Sequence, residues 1–320
     1  MQLLVSLATN PVPSGAVTGV FNGFDGAPMR YAHWPATRAP RRGTVCVFPG
    51  RGEFIEKYFE VIAELRRRGF AVATMDWRGQ GGSYRALSDK ARGHITGFSA
   101  YDRDLVRFMK DVVLPDCPPP YVALAHSLGG HLLLRHAAGS GSWFERMVLI
   151  APMIAIAQER LKTPYVLAQI YAEVTSAIGL STAFVCGGSP TPIEACGYDC
   201  NLLTHDRERF ERNAAVLKAA PQLGLGSPTN GWLRAALRSC ATIQAADYPE
   251  KIKIPALLFA ASDDEIVSTA AIERFAVGLK VGTHILMPGA RHEILQETDG
   301  VRARFWAAFD AYFGIEKVAA

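Results

Sequence analysis

The chain has no apolar run approaching the ~20 residues needed to span a bilayer. Its amino terminus, MQLLVSLATNPVPSG, has a short apolar stretch but neither a basic leader nor a small-residue cleavage site, so it reads as a native extension. Cysteine is sparse. Six in 320 residues cannot make a dense disulfide framework, and a reducing cytoplasm is the expected setting. Cys186, Cys196 and Cys200 lie closest together, but their spacing fits no zinc pattern and free thiols are expected. Excess charge is also lacking: 34 Lys and Arg against 30 Asp and Glu leave a formal net charge of +4. No basic stripe is interleaved with aromatics, which argues against nucleic acid as a partner. The densest basic cluster, Arg66–Arg68, ends an expected helix just before Gly69, where a helix terminus favours cations. Phosphate-binding fingerprints are missing too, because Gly79-Gln80-Gly81-Gly82 matches neither a P-loop nor a dinucleotide motif and reads as a turn. There is no internal repeat, and Pro118–Pro120 reads as a stiff connector.

What is present is the composition of a soluble globular protein, 49% hydrophobic and 20% charged, in a chain long enough for a sizeable core. Residues 17–24 and 29–34 read as a hairpin turning through Asp25-Gly26. Strands and helices then alternate. Strands are expected at 44–48, 71–76, 121–126 and 147–151, and helices at 56–68, 101–114 and after Ser127. From Pro152 the alternation stops, and residues 153–247 carry helical patterns without a clear strand. Strands resume at 256–260 and 284–287, around a helix at 269–279, and a last helix spans about 301–313. Alternation of this kind implies an α/β fold, a mostly parallel sheet with helices on both faces. Residues 1–152 and 248–320 are then the core, and 153–247 an inserted helical cap.

In an open parallel sheet, functional groups gather at the carboxyl ends of strands. Three such ends stand out. The run YVALAHSLGGHLLLRHAA, 121–138, passes from buried strand to amphipathic helix within about three residues, and Ser127 sits at the turn between Ala125 and Gly129-Gly130. Past the next strands come Ser262-Asp263-Asp264 and Arg291-His292-Glu293. The chain order Ser, Asp, His is that of a nucleophile elbow with its base and acid. A serine hydroxyl is a poor nucleophile until an imidazole accepts its proton and a carboxylate fixes the tautomer, which casts Ser127, His292 and Asp264 in those roles. Asp264 is preferred over Asp263 because it stands three residues before Val267. The oxyanion would be held by the N–H groups of Leu128 and of Arg51, on the Gly-flanked loop Pro49–Glu53. His126 is expected to line the substrate pocket or to pack rather than to act as base, and His131 and His136 to be structural.

Four segments together resemble the monoacylglycerol lipase and lysophospholipase branch of the α/β-hydrolases. They are Gly50-Arg51-Gly52-Glu53, Asp76–Ser83, Ala125–Gly130 and His292-Glu293-Ile294-Leu295. In the insertion, NLLTHDRERFERN and GSPTNGWL resemble the cap of bacterial lysophospholipases of the large, inner-membrane-associated type. Pro49, where many relatives carry His, and Ser227, where Gly is usual, depart from the pattern. The resemblance implies an α/β-hydrolase fold and a serine esterase acting on single-chain lipids, with no metal or organic cofactor. It also implies a small lipid or ester substrate as partner, and peripheral contact with the inner membrane. Two alternatives stay open: acyl transfer or amide cleavage on the same three residues, and a non-catalytic hydrolase-fold binding protein.

Overall fold

Eight strands form one sheet: β1 (Val17–Asn22), β2 (Pro28–Trp34), β3 (Thr44–Phe48), β4 (Ala71–Met75), β5 (Tyr121–His126), β6 (Phe144–Ile150), β7 (Ala256–Ala261) and β8 (Gly282–Met287). Their spatial order is β1-β2-β4-β3-β5-β6-β7-β8. The first two make an antiparallel hairpin and β2 joins β4 antiparallel, whereas every pair from β4 to β8 is parallel. The computed structural model describes residues 4–139 and 141–316; residues 1–3, 140 and 317–320, including the start of the amino-terminal extension, lie outside them.

The helices are α1 (Phe59–Arg67), α2 (Ser99–Phe108), α3 (Leu114–Asp116), α4 (Leu128–Ala137), α5 (Gln158–Leu161), α6 (Tyr165–Ala177), α7 (Arg207–Ala219), α8 (Asn230–Ile243), α9 (Thr269–Val277) and α10 (Asp299–Phe313). Every residue of β3, β4 and β7 is buried, as expected of strands covered on both faces. Side chains alternate between two cores. Val45 and Val47 join α1 and α10 on one face, and Cys46 and Phe48 join α2, α4 and α9 on the other.

Element ends differ from the sequence expectations for local reasons. A 3₁₀ turn, Ile55–Tyr58, precedes α1, and α2 passes through a π turn at Met109–Val113 before α3. β6 begins three residues earlier than expected, because Phe144 packs inward while Glu145 and Arg146 reach solvent. β8 also starts earlier, at Gly282; as an edge strand it needs no continuous apolar run.

Between β6 and β7 the described residues form helices, turns and isolated bridges only. This segment packs over the loops that leave the carboxyl ends of β3 and β8. The Arg51 guanidinium donates to Gly226 O at 2.9 Å, the Glu293 N–H to Leu203 O at 2.8 Å, and Arg291 to Asn201 O at 2.9 Å. Helix α8 also buries Trp232, Ala236 and Cys240 in the same core cluster as α2 and α4.

Candidate active site

At the end of β5 the backbone of Ser127 takes φ 50° and ψ −111°, a conformation that costs on the order of 1–3 kcal/mol for a residue with a Cβ. Neighbouring contacts hold it there. The Ser127 N–H donates to Ile150 O, and its carbonyl accepts from the N–H groups of His131 and Met153. Close packing explains the glycine that follows. A Cβ on Gly129 would lie 2.4 Å from Phe48 O and 2.8 Å from Pro49 O, so only glycine lets α4 start against the loop after β3. Ala125 fits without strain because its methyl group lies inside the core cluster.

The three residues expected at strand ends meet here. His292 Nε2 lies 3.0 Å from Ser127 Oγ, and His292 Nδ1 lies 2.7 Å from Asp264 Oδ2. Asp264 Oδ1 accepts from the N–H groups of Ile266 at 2.8 Å and Val267 at 2.9 Å, the contact that an Asp three residues before a Val provides. Burial opposes ionisation of this carboxyl, but the adjacent imidazole and the two N–H donors outweigh it and hold Asp264 below the usual carboxylate range. Asp263 instead points to solvent and pairs with the Ser262 hydroxyl. With its carboxylate partner on Nδ1, His292 presents Nε2 to the serine as an acceptor.

The loop after β3 is fastened on both sides of Arg51. The Gly50 N–H donates to the Glu53 carboxylate, and the Gly52 N–H to Gln80 Oε1 at 3.1 Å. Gln80 Nε2 in turn donates to Gly50 O at 2.6 Å and Glu53 O at 3.1 Å, and Trp77 Nε1 donates to Pro49 O at 2.9 Å. The N–H of Arg51 is left over. Among the described residues, neither it nor the N–H of Leu128 at the start of α4 donates to a protein acceptor. Two free amides, one adjoining Ser127 and one on the loop packed against Gly129, are the donor set that a developing oxyanion requires.

Of the two places expected of it, His126 takes the packed one. Both ring nitrogens are spent on protein, Nδ1 on Glu53 Oε1 and Nε2 on the carbonyl of His292, each at 3.1 Å. No nitrogen is left for a substrate, and the ring links the β3 loop to the base-bearing loop. His131 is buried between Met153 O at 2.7 Å and Ser239 Oγ at 2.6 Å.

Sequence reasoning missed the supports of this site. Gln80 lies in the segment read as a plain turn. Lys57 is buried, 3.5 Å from Glu53, 3.1 Å from Glu194 and 2.5 Å from Glu293. Burial disfavours its charge, but the three carboxylates prevail and raise its pKa. Burial also opposes the Glu53 anion, yet His126, Lys57 and the Tyr58 hydroxyl hold that carboxyl well below its ordinary range. For Glu293, burial and the neighbouring Glu53 prevail over Lys57 and push the carboxyl upward. A signal existed only for the Glu53/Lys57 pair, at i,i+4 spacing. Among the described residues no group of three or more His, Cys, Asp or Glu could hold a metal ion.

Comparison with known proteins places the chain in a family. Residues 39–299 match the family described as serine aminopeptidase, S33. The chain is 31% identical over 291 residues to lysophospholipase L2 of Escherichia coli (strain K12), covering 88% of this chain and 83% of that one. It is 29% identical to monoglyceride lipase of Rattus norvegicus over 45% of this chain and 46% of the relative. A soluble variant of monoglyceride lipase from Saccharomyces cerevisiae, solved with a substrate analogue, has the same fold, with a TM-score of 0.72 at 21% identity over 93% of this chain and 96% of that one. A thermostable carboxyl esterase from Bacillus coagulans, solved with glycerol, superposes with a TM-score of 0.71 at 19% identity over 94% and 99% of the two chains.

Proposed function

Because the chain belongs to the serine aminopeptidase S33 family of α/β-hydrolases, we propose that it is a serine esterase that deacylates single-chain lipids, lysophospholipids or monoacylglycerols. The observation that carries this reading is the relay Asp264–His292–Ser127, with contacts of 2.7 and 3.0 Å, beside two unused amides. Ser127 Oγ attacks the ester carbonyl carbon while His292 Nε2 takes its proton, and Asp264 holds the imidazole in the reactive tautomer. The carbonyl oxygen becomes an oxyanion facing the N–H groups of Arg51 and Leu128. Collapse breaks the bond to the glycerol oxygen, to which His292 returns the proton, leaving the acyl group on Ser127. Water then repeats the sequence, and the fatty acid leaves.

The inserted segment acts as a cap that receives the acyl chain. Its α6 buries Ala168 and Ala172 against α8 and turns Val166, Leu167, Ile170 and Val174 outward, with Ile178 just past its end, each between 52% and 66% exposed. This face suits peripheral contact with a lipid surface, where such substrates reside. Among the described residues no helix is long and apolar enough to cross a membrane. Peptide cleavage is less well supported. The relatives matched over most of this chain are named lysophospholipases and a monoacylglycerol lipase.

The test is fluorophosphonate labelling of the wild type and Ser127→Ala, followed by a panel of lysophospholipids, monoacylglycerols, short p-nitrophenyl esters and aminoacyl amides. Labelling should vanish in Ser127→Ala, and long-chain lipid esters should give the highest kcat/KM. Aminoacyl amides turning over fastest, or labelling that survives the substitution, would overturn the reading.

A further inference from the structure

Arg51 offers more than its backbone. Its side chain runs from the loop after β3 into the inserted segment, where Nη2 donates to Gly226 O at 2.9 Å and the guanidinium lies 5.0 Å from the centre of the Trp232 ring. Neither partner carries a negative charge, and Nε is buried without any acceptor. Among the described residues no carboxylate pairs with Arg51. Arg85, nearby, also lacks a carboxylate, but its fork is filled by the carbonyls of Gly81, Lys90, Gln222, Leu223 and Gly224, which makes it a pin within the fold. Arg51 has no such saturation. Burial, together with the charges of Arg160 and Arg85, outweighs the opposing effect of the Tyr101 phenol and lowers its guanidinium to about 10. Arg160 itself is exposed on the one-turn helix α5 and forms no ion pair among the described residues. An unpaired guanidinium is costly to bury, and a planar fork of this kind matches phosphate oxygens.

We propose that the Arg51 side chain is a specificity-determining residue that binds the phosphate of a lysophospholipid while its own N–H faces the oxyanion, so that phosphate-bearing substrates are preferred over uncharged monoacylglycerols. In the esterase reading the Arg51 N–H faces the reacting carbonyl, and in a lysophospholipid the phosphate stands one glycerol length from that carbonyl. One residue can therefore reach both groups. This inference rests on the esterase reading above and narrows it to one substrate class.

The experiment compares kcat/KM for a lysophosphatidylglycerol and a monoacylglycerol of the same acyl chain, below their critical micelle concentrations, in the wild type, Arg51→Met and Arg51→Lys. Charge-assisted hydrogen bonds of this kind imply that Arg51→Met lowers the phosphate-to-neutral ratio on the order of 10- to 100-fold, with part of it restored in Arg51→Lys. A second measurement uses Ser127→Ala, which has no nucleophile, and compares calorimetric binding of hexadecylphosphocholine and of an uncharged hexadecyl glycerol ether, with and without Arg51→Met. Tighter binding of the phosphate amphiphile that disappears with Arg51→Met is expected. Equal losses on both substrates, or equal binding of the two amphiphiles before Arg51 is changed, would overturn the proposal and leave Arg51 as a latch between loop and cap. Failure of the esterase reading would look different: no ester turnover in the wild type, with phosphate-dependent binding intact.

Discussion

Asp264→Asn is the most demanding test of the site because the structure dictates which way the new amide must face. In the wild type, Oδ1 accepts two backbone N–H groups, from Ile266 and Val267, and Oδ2 accepts from His292 Nδ1. An asparagine has one oxygen for these two tasks. Turning that oxygen toward His292 would place its NH₂ against two half-buried donors, leaving both unpaired at up to ~1–3 kcal/mol each. The oxygen therefore stays with the backbone, and the NH₂ confronts His292 Nδ1. Nδ1 must then become the acceptor, and the ring proton moves to Nε2, where it faces Ser127 Oγ. A protonated Nε2 cannot take the serine proton, so the nucleophile is no longer activated. The expected loss in kcat is on the order of 10⁴, equivalent to about 5.5 kcal/mol of barrier. Since the amide is nearly isosteric and keeps its backbone bonds, the thermal midpoint should move little. The assay is kcat and kcat/KM on a soluble p-nitrophenyl ester, beside the melting curve, with Asp263→Asn as the matched control. An Asp264→Asn enzyme within tenfold of wild type, or a larger loss from Asp263→Asn, would refute the reasoning.

Gly129→Ala should push the Phe48 and Pro49 carbonyls, 2.4 and 2.8 Å from the new methyl, and with them the loop carrying the Arg51 N–H. A cost of ~1–3 kcal/mol in stability and a larger, roughly 10²-fold, loss of kcat are expected, and an unchanged kcat with an unchanged melting curve would be inconsistent with this placement. Burial pushes the His131 imidazole down to about 3, so the folded chain keeps it neutral where the unfolded chain, titrating near ~6.5, takes up a proton. Its contribution is therefore complete above about pH 6.5 and lost as pH falls toward 3, roughly 2 kcal/mol by pH 5. Denaturant midpoints of the wild type and His131→Phe against pH should converge in that window, and parallel curves would exclude the effect. Ile170→Glu with Val174→Glu on α6 should reduce cosedimentation with phospholipid vesicles more than turnover of a soluble short ester, whereas unchanged cosedimentation would rule out this face as the lipid contact.

The sheet was legible because β3, β4, β5 and β7 are covered on both faces and so read as short apolar runs closed by Gly, Asp or Ser. Ser127 could be picked out for the same reason, since it follows β5 directly, and Asp264 stands three residues past β7; His292 lies five residues past the edge strand β8 and was marked by the chain order Ser, Asp, His. Their supports were not legible. Glu194 and Glu293 reach Lys57 across sequence separations of 137 and 236 residues, and no local pattern records that meeting. His126 was legible as a residue next to the serine, but the carbonyl of His292, 166 positions away, decides where its ring points. Gln80 was hidden by its own neighbours, since a glycine-rich stretch announces a turn and says nothing about the buried amide inside it.

The Lys57 ammonium bears on how a substrate gets in. It binds one carboxylate from the loop after β3, one from the inserted segment and one beside His292. Lifting the whole segment away would strip Glu194 from the group and expose a buried charge imbalance, at ~3–5 kcal/mol. A gate with that penalty stands open in fewer than about one molecule in a hundred. A path at α6 would leave that group of charges intact. That helix is fastened to α8 through Ala168 and Ala172, the Glu173–Arg238 ion pair and the Tyr165 hydroxyl, which donates to Leu237 O, and tilting it would leave Glu194 in place. The doorway would open on the apolar outer face, toward the surface that supplies the lipid, and the charged side would serve as the hinge.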